Sequence, residues 1–261
     1  MRKFLIAAGT AIAAAGTMVA ASPAFAAGPM PITENGSQAT AFAHVYPAQA
    51  RTWFDRAAGY VWGQPPAKPY AATTGCYRYF SYATFAAAIK AGTVKSHCVH
   101  FDLESGKTWP SPANEEADPE KYMPEFNRLA RAHGLFVIES PGADLSHTDT
   151  ACTQPKPDGY TYYRNCRVAH WAALGGANIV LVQDQQATND TTRYGSWFKN
   201  ARSQAAGSGA AVFSSVSQSR GTASQSVKDV RAAGPMGGLD VMDAKTASWE
   251  RAVLGPVSKV S

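Results

Sequence analysis

The sequence predicts an α/β fold, a (β/α)8 TIM-type barrel, and three observations lead there. From about residue 40 onward, short apolar runs alternate with helix-length stretches, and this alternation implies parallel strands joined by right-handed crossovers. No G-x-G-x-x-G and no P-loop follows an expected strand. That removes the usual support for the alternative, a doubly wound α/β sheet built to bind nucleotides. The number of strand–helix units suits a barrel in a chain of 261 residues. The second and eighth strands are weakly marked, so the barrel is expected to be either complete or short of closure.

Taken in order, Ala41–Tyr46 is the expected first strand, with residues 27–40 as an extension before a single domain over 41–261. A short helix follows at Ala48–Ala58. Tyr60–Gly75 is rich in proline and aromatics, with a second strand expected near Tyr70–Thr73. Phe80–Ala91 reads as a helix stopped by Gly92, and Cys98–Leu103 as a β-branched and aromatic strand. Asp118-Pro119 opens a helix: aspartate is a good N-cap, and proline at the first helical position gives up an N–H that has no partner there. Tyr122, Phe126, Leu129 and Ala130 recur at helical spacing until Gly134. Leu135–Glu139 is a strand, Val168–Leu174 a helix closed by Gly175-Gly176, and Ile179–Val182 a strand. Tyr194–Ala206, Ala210–Ser214, Ser224–Ala233 and Leu239–Met242 continue the alternation, and a last helix is expected after Thr246.

The first 26 residues read as a secretory signal peptide. Arg2 and Lys3 precede an acid-free apolar run, and Ala24-Phe25-Ala26 has the small-x-small form of a cleavage site. No later segment approaches the ~20 unbroken apolar residues of a membrane span. A secreted, extracellular protein is expected, and its four cysteines fit that compartment. Cys76–Cys98 and Cys152–Cys166 are the favoured pairs, because each closes a short local loop; the spacings do not suit zinc. Without Arg2 and Lys3, 22 basic residues face 19 acidic ones, scattered rather than clustered. That disfavours nucleic acid as a partner. A monomer without cofactor or metal is expected.

The informative segment is His100-Phe101-Asp102-Leu103-Glu104. Successive strand side chains point to opposite faces. Val99, Phe101 and Leu103 therefore belong under the helices, and Cys98, His100, Asp102 and Glu104 in the lumen. Asp102 and Glu104 fall at the C-terminal mouth, where barrel enzymes place their chemistry. They are near enough to perturb each other, so that one holds a proton near neutral pH. Polar residues recur at later strand ends: Glu139 and Asp144, then Gln183, Asp184 and Gln185, then Ser214, Ser215 and Ser217, then Asp243. Paired carboxylates in a secreted barrel suggest glycosidic bond hydrolysis, one protonating the leaving oxygen while the other acts as base, nucleophile or stabiliser. Asp102, Glu104, Glu139 and Asp184 are the catalytic candidates. His100, Trp109, Asp144, Gln183 and Gln185 are the candidates for binding an extracellular carbohydrate. Trp109, in a Thr-Trp-Pro-Ser-Pro loop, is the preferred stacking aromatic, ahead of Tyr46, Trp53, Trp62, Tyr160, Tyr162 and Tyr163.

Phe101-Asp102-Leu103-Glu104, Trp109-Pro110, Asp118-Pro119, Tyr122-Met123 and the run from Gly134-Leu135 to Pro141-Gly142-Ala143-Asp144-Leu145 together resemble a group of secreted actinobacterial TIM-barrel proteins of unsettled activity. The D-x-E at a strand end is similar to the acidic signature of barrel glycosidases such as the family 18 chitinases and family 25 lysozymes. The further upstream aspartates of the chitinases and the opening Asp-x-Ser of the lysozymes are absent here. Two other functions fit parts of the pattern. One is a non-catalytic carbohydrate-binding barrel. The other is a metal-dependent phosphodiesterase using His44 with Asp102 and Glu104.

Overall fold

The computed structural model describes residues 29–94, 96–106 and 110–257. The expected signal peptide and Trp109 lie outside the described residues. Eight parallel strands pair in chain order and close into a barrel: β1 (Ile32–Asn35), β2 (Gly59–Gly63), β3 (Thr74–Tyr79), β4 (Cys98–Phe101), β5 (Phe136–Glu139), β6 (Ile179–Val182), β7 (Ala211–Ser217) and β8 (Gly238–Asp243). β1 pairs with both β2 and β8. The eight strands thus form a closed barrel of the (β/α)8 TIM type, and the doubly wound alternative is excluded.

The start of the chain departs from the expected order. Ala41–Tyr46 falls mainly within helix α1 (Gly36–Val45), and the true first strand lies in the stretch read as an extension. Asn35 starts α1 by accepting from the Ser37 N–H, and Ala39 and Phe42 are buried three residues apart on one helical face. α2 (Pro47–Phe54) follows. The strand expected near Tyr70–Thr73 is a loop before β3, and β2 lies earlier, at Gly59–Gly63. No helix joins β2 to β3. Pro65, Pro66 and Pro69 interrupt that connection, and proline removes donors from helix and ladder alike.

The later elements match their expected places closely. α3 (Tyr82–Lys90) ends before Gly92, whose φ is +64°, and α5 (Pro119–Ala132) before Gly134, at +70°. The Asp118 side chain caps α5 by accepting from the Lys121 N–H. A short α4 (Ala113–Glu116) precedes α5; α6 (Gly159–Asn165) and α7 (Val168–Ala173) join β5 to β6. α8 (Thr191–Ala205), α9 (Ala223–Ala233) and α10 (Ala247–Val257) complete the ring.

Two apolar layers result. Tyr60, Trp62, Cys76, Cys98, Ile138, Ile179, Leu181 and Phe213 fill the lumen. Val99, Phe101, Leu103 and Val137 pack outward against Phe85 of α3 and Phe126 of α5. Cys76 and Cys98 are register partners on β3 and β4, and their disulfide lies in the lumen. Cys152–Cys166 ties the loop after β5 to the end of α6. Both pairings are the ones expected. Among the described residues, no helix is long and apolar enough to cross a membrane.

Candidate functional site

The site grows out of β4 and its extension. Asp102 continues the ladder by donating its N–H to the Tyr79 carbonyl (2.9 Å). Glu104 is fixed one turn of pleat later: its N–H donates to Ser111 Oγ (3.1 Å), and its carbonyl accepts from the Ser111 N–H (2.9 Å). The expected alternation holds. Phe101 stacks on Phe126 outside the barrel, with ring centroids 4.4 Å apart, while His100, Asp102 and Glu104 line a cavity of about 150 Å3 in the lumen. Trp62 of β2, Arg78 of β3, Ser140, Leu181 of β6, and Asp240 and Met242 of β8 complete its lining.

Each carboxylate here has a different set of partners. Asp102 is buried and ion-paired with Arg78 (3.3 Å). Burial and the neighbouring Glu104 charge push it well above the usual carboxylate range, while Arg78 and the Ser140 hydroxyl oppose that rise. Glu104 is half-buried and accepts from Gln183 Nε2 (2.8 Å). Burial and the Asp144 charge raise its pKa, against the Gln183 hydrogen bond. Asp240 accepts from Thr33 Oγ1 (2.5 Å) and Ser215 Oγ (3.0 Å), and burial pushes its pKa up to about 6. Arg78 is the site's cation. Its guanidinium lies over the rings of Trp62 (4.7 Å) and Phe80 (4.5 Å), a packing that fixes the plane it presents to Asp102.

Of the remaining candidates, Gln183 and Asp144 belong to this site. Gln183 bridges Glu104 and the Ala143 N–H (2.9 Å), and Asp144 stands at the rim on a 3-10 turn (Ala143–His147). Gln185 reaches the site indirectly, donating to Met242 Sδ (2.9 Å).

Glu139 and Asp184 are corrections. Ile138 and Ser140 face the lumen, so strand alternation turns Glu139 toward the helices. It is fully buried there, with no hydrogen-bond partner for its carboxyl among the described residues. Asp184 accepts from Ser214 Oγ (2.6 Å) and the Ser215 N–H (2.8 Å), and Ser214 in turn meets Tyr194 Oη (2.7 Å). It ties the turn after β6 to β7 and does not line the cavity. Both were expected in the lumen because they end strands, but a strand end fixes height in a barrel and not side-chain direction. His44 sits exposed on α1, away from the lumen, so the metal-dependent phosphodiesterase set is not assembled. Of the aromatics named from the sequence, Trp62 lines the cavity; Trp53, Tyr162 and Tyr163 are core residues.

Sequence reasoning missed Arg78, Ser140 and Asp240. Asp240 had a readable signal, a lone acid in the apolar alternation Leu239-Asp240-Val241-Met242. Arg78 had none, because its strand was not recognised. No protein-family model matches this chain, and no curated protein matches it.

Proposed function

We propose that this protein is a secreted glycoside hydrolase that cleaves an extracellular oligo- or polysaccharide with Asp102 and Glu104. The observation that carries the reading is their shared position: two carboxyls on one face of β4 and its extension, both raised by burial and both lining the lumen cavity at the C-terminal mouth. Two carboxyls whose pKa values are raised to different degrees, Asp102 well above the usual range, can supply both groups the reaction needs. One carboxyl protonates the departing glycosidic oxygen, and the other, ionised, activates water or attacks the anomeric carbon. Arg78, Ser140 and Gln183 orient the pair and oppose the rise of its pKa values. Two disulfides support an oxidising destination, in line with the expected signal peptide.

The test is release of reducing ends from a panel of soluble polysaccharides. Asp102→Asn and Glu104→Gln should each lower the rate by ~10²-fold or more, the scale of general acid–base catalysis, with unchanged circular dichroism. Hydrolysis that survives both substitutions would sink the reading. Saccharide binding without turnover would favour the non-catalytic barrel.

A further inference from the structure

The floor of the cavity holds a group that the carboxylate pair does not use. His100 is 1% exposed, lines the cavity, and packs against the Trp62 ring at 5.5 Å. Neither of its ring nitrogens has a hydrogen-bond partner among the described residues. Buried polar groups are as a rule hydrogen-bonded, and each exception asks for an explanation. Burial and the Arg78 charge hold the imidazole neutral, so it offers one donor and one acceptor to whatever enters. That is the complement of a hydroxyl group.

The shape of the cavity limits what can reach His100. Eight paired strands close the wall all round, and the Cys76–Cys98 disulfide, Ile138, Ile179 and Phe213 fill the lumen layer with it. At about 150 Å3 the cavity is well below the ~300–1,000 Å3 of sites that engulf drug-sized ligands. A polymer has no way through such a pocket. One chain end can enter it.

We propose that the cavity takes the single terminal ring of a saccharide chain, its hydroxyls bonded to His100 and its apolar face against Trp62, so that the enzyme removes one sugar at a time. The inference rests on the glycosidase reading and deepens it. The bond between the anomeric carbon of the enclosed ring and the linking oxygen breaks. Water supplies the new anomeric hydroxyl, the leaving oxygen takes the proton, and a free monosaccharide is the product from the first turnover.

Two measurements on the full chain test this. The first follows the products formed from an unmodified hexasaccharide of whichever polysaccharide is cleaved. Monosaccharide and pentasaccharide should appear first; internal di- and trisaccharides as first products would overturn the inference and leave the catalytic pair standing. The second titrates glucose, galactose, mannose, xylose, N-acetylglucosamine and N-acetylgalactosamine into the protein by calorimetry. At least one should bind, ≥10-fold more weakly to His100→Leu than to wild type, with His100→Gln recovering part of the loss because it keeps a donor and an acceptor. Binding that ignores both substitutions, or no binding by any of the six, would overturn the proposal. Binding that depends on His100 in a protein without hydrolytic activity would uphold the terminal-ring site while the catalytic reading, and stepwise release with it, fails.

Discussion

Buried acids are unusually frequent in this barrel, and each is accommodated differently. Glu115 gives its carboxylate to Ser81 Oγ and to the N–H groups of Tyr82 and Ala83, which caps α3. Asp184 and Asp240 are held by hydroxyls of β1 and β7. Glu34 and Glu250 meet between β1 and α10: burial and the Glu250 charge push Glu34 well above the usual carboxylate range, and burial pushes Glu250 up to about 8 against the hydrogen bond it shares with Glu34. The consequence for stability has a definite sign. Between the ordinary carboxylate pKa near 4.5 and about 8, the unfolded chain gives up protons that the folded chain keeps. Stability therefore falls as pH rises through that window. Asp240, at about 6, adds to the lower part of the same slope. Glu250→Gln removes the upper part. The variant should show a flatter dependence of melting temperature on pH between 6 and 8, and should be more stable than wild type at pH 8. A slope as steep as the wild type's would show that the pair does not share a proton.

At the scale of elements, β4 and α5 form the joint that carries the site. Phe126 of α5 lies between Phe85 (4.2 Å) and Phe101 (4.4 Å), and all three rings are fully buried. Phe101 directly precedes Asp102, so this stack sets the height and tilt of the strand from which both acids project. Removing a buried phenylalanine side chain costs ~3–5 kcal/mol, and Phe126→Ala should lose that much in urea denaturation. Activity at temperatures where the variant is still folded should fall as well, because the cavity relaxes on the side bearing the acids. α5 was legible because its start, period and stop agree: Asp118-Pro119, then Tyr122, Phe126, Leu129 and Ala130, then Gly134. β1 was not, because four residues that include Thr33 and Glu34 carry no apolar alternation. Thr33 belongs in the strand because Asp240 of β8 accepts its hydroxyl proton, a partner about two hundred residues away. β2 and β3 were obscured by the prolines between them.

For the whole molecule, closure is the decisive event, and the Cys76–Cys98 disulfide stands beside it in the lumen. It links β3 to β4, next to the connection between β2 and β3, which has no helix. The bridge spans 22 residues, and closing a loop of that size restricts the unfolded chain by about 3 kcal/mol. Replacing both cysteines by alanine should lower the unfolding free energy by roughly that amount. The loss should be larger than for Cys152–Cys166, whose bridge spans 14 residues and lies outside the barrel wall.

The sequence by itself determined what is local or periodic. Strand–helix alternation established the barrel class, the spacing of the cysteines indicated their pairing, and alternation along one strand placed Asp102 and Glu104 in the lumen and Phe101 outside it. Tertiary structure alone decided which other residues join them. Arg78 and Asp240 reach the cavity from β3 and β8 and Ser140 from just past β5, while Glu139 and Asp184 are turned away. The reason is geometric: a residue's height follows from its own strand, but its company in the lumen depends on the register and rotation of all eight strands after closure.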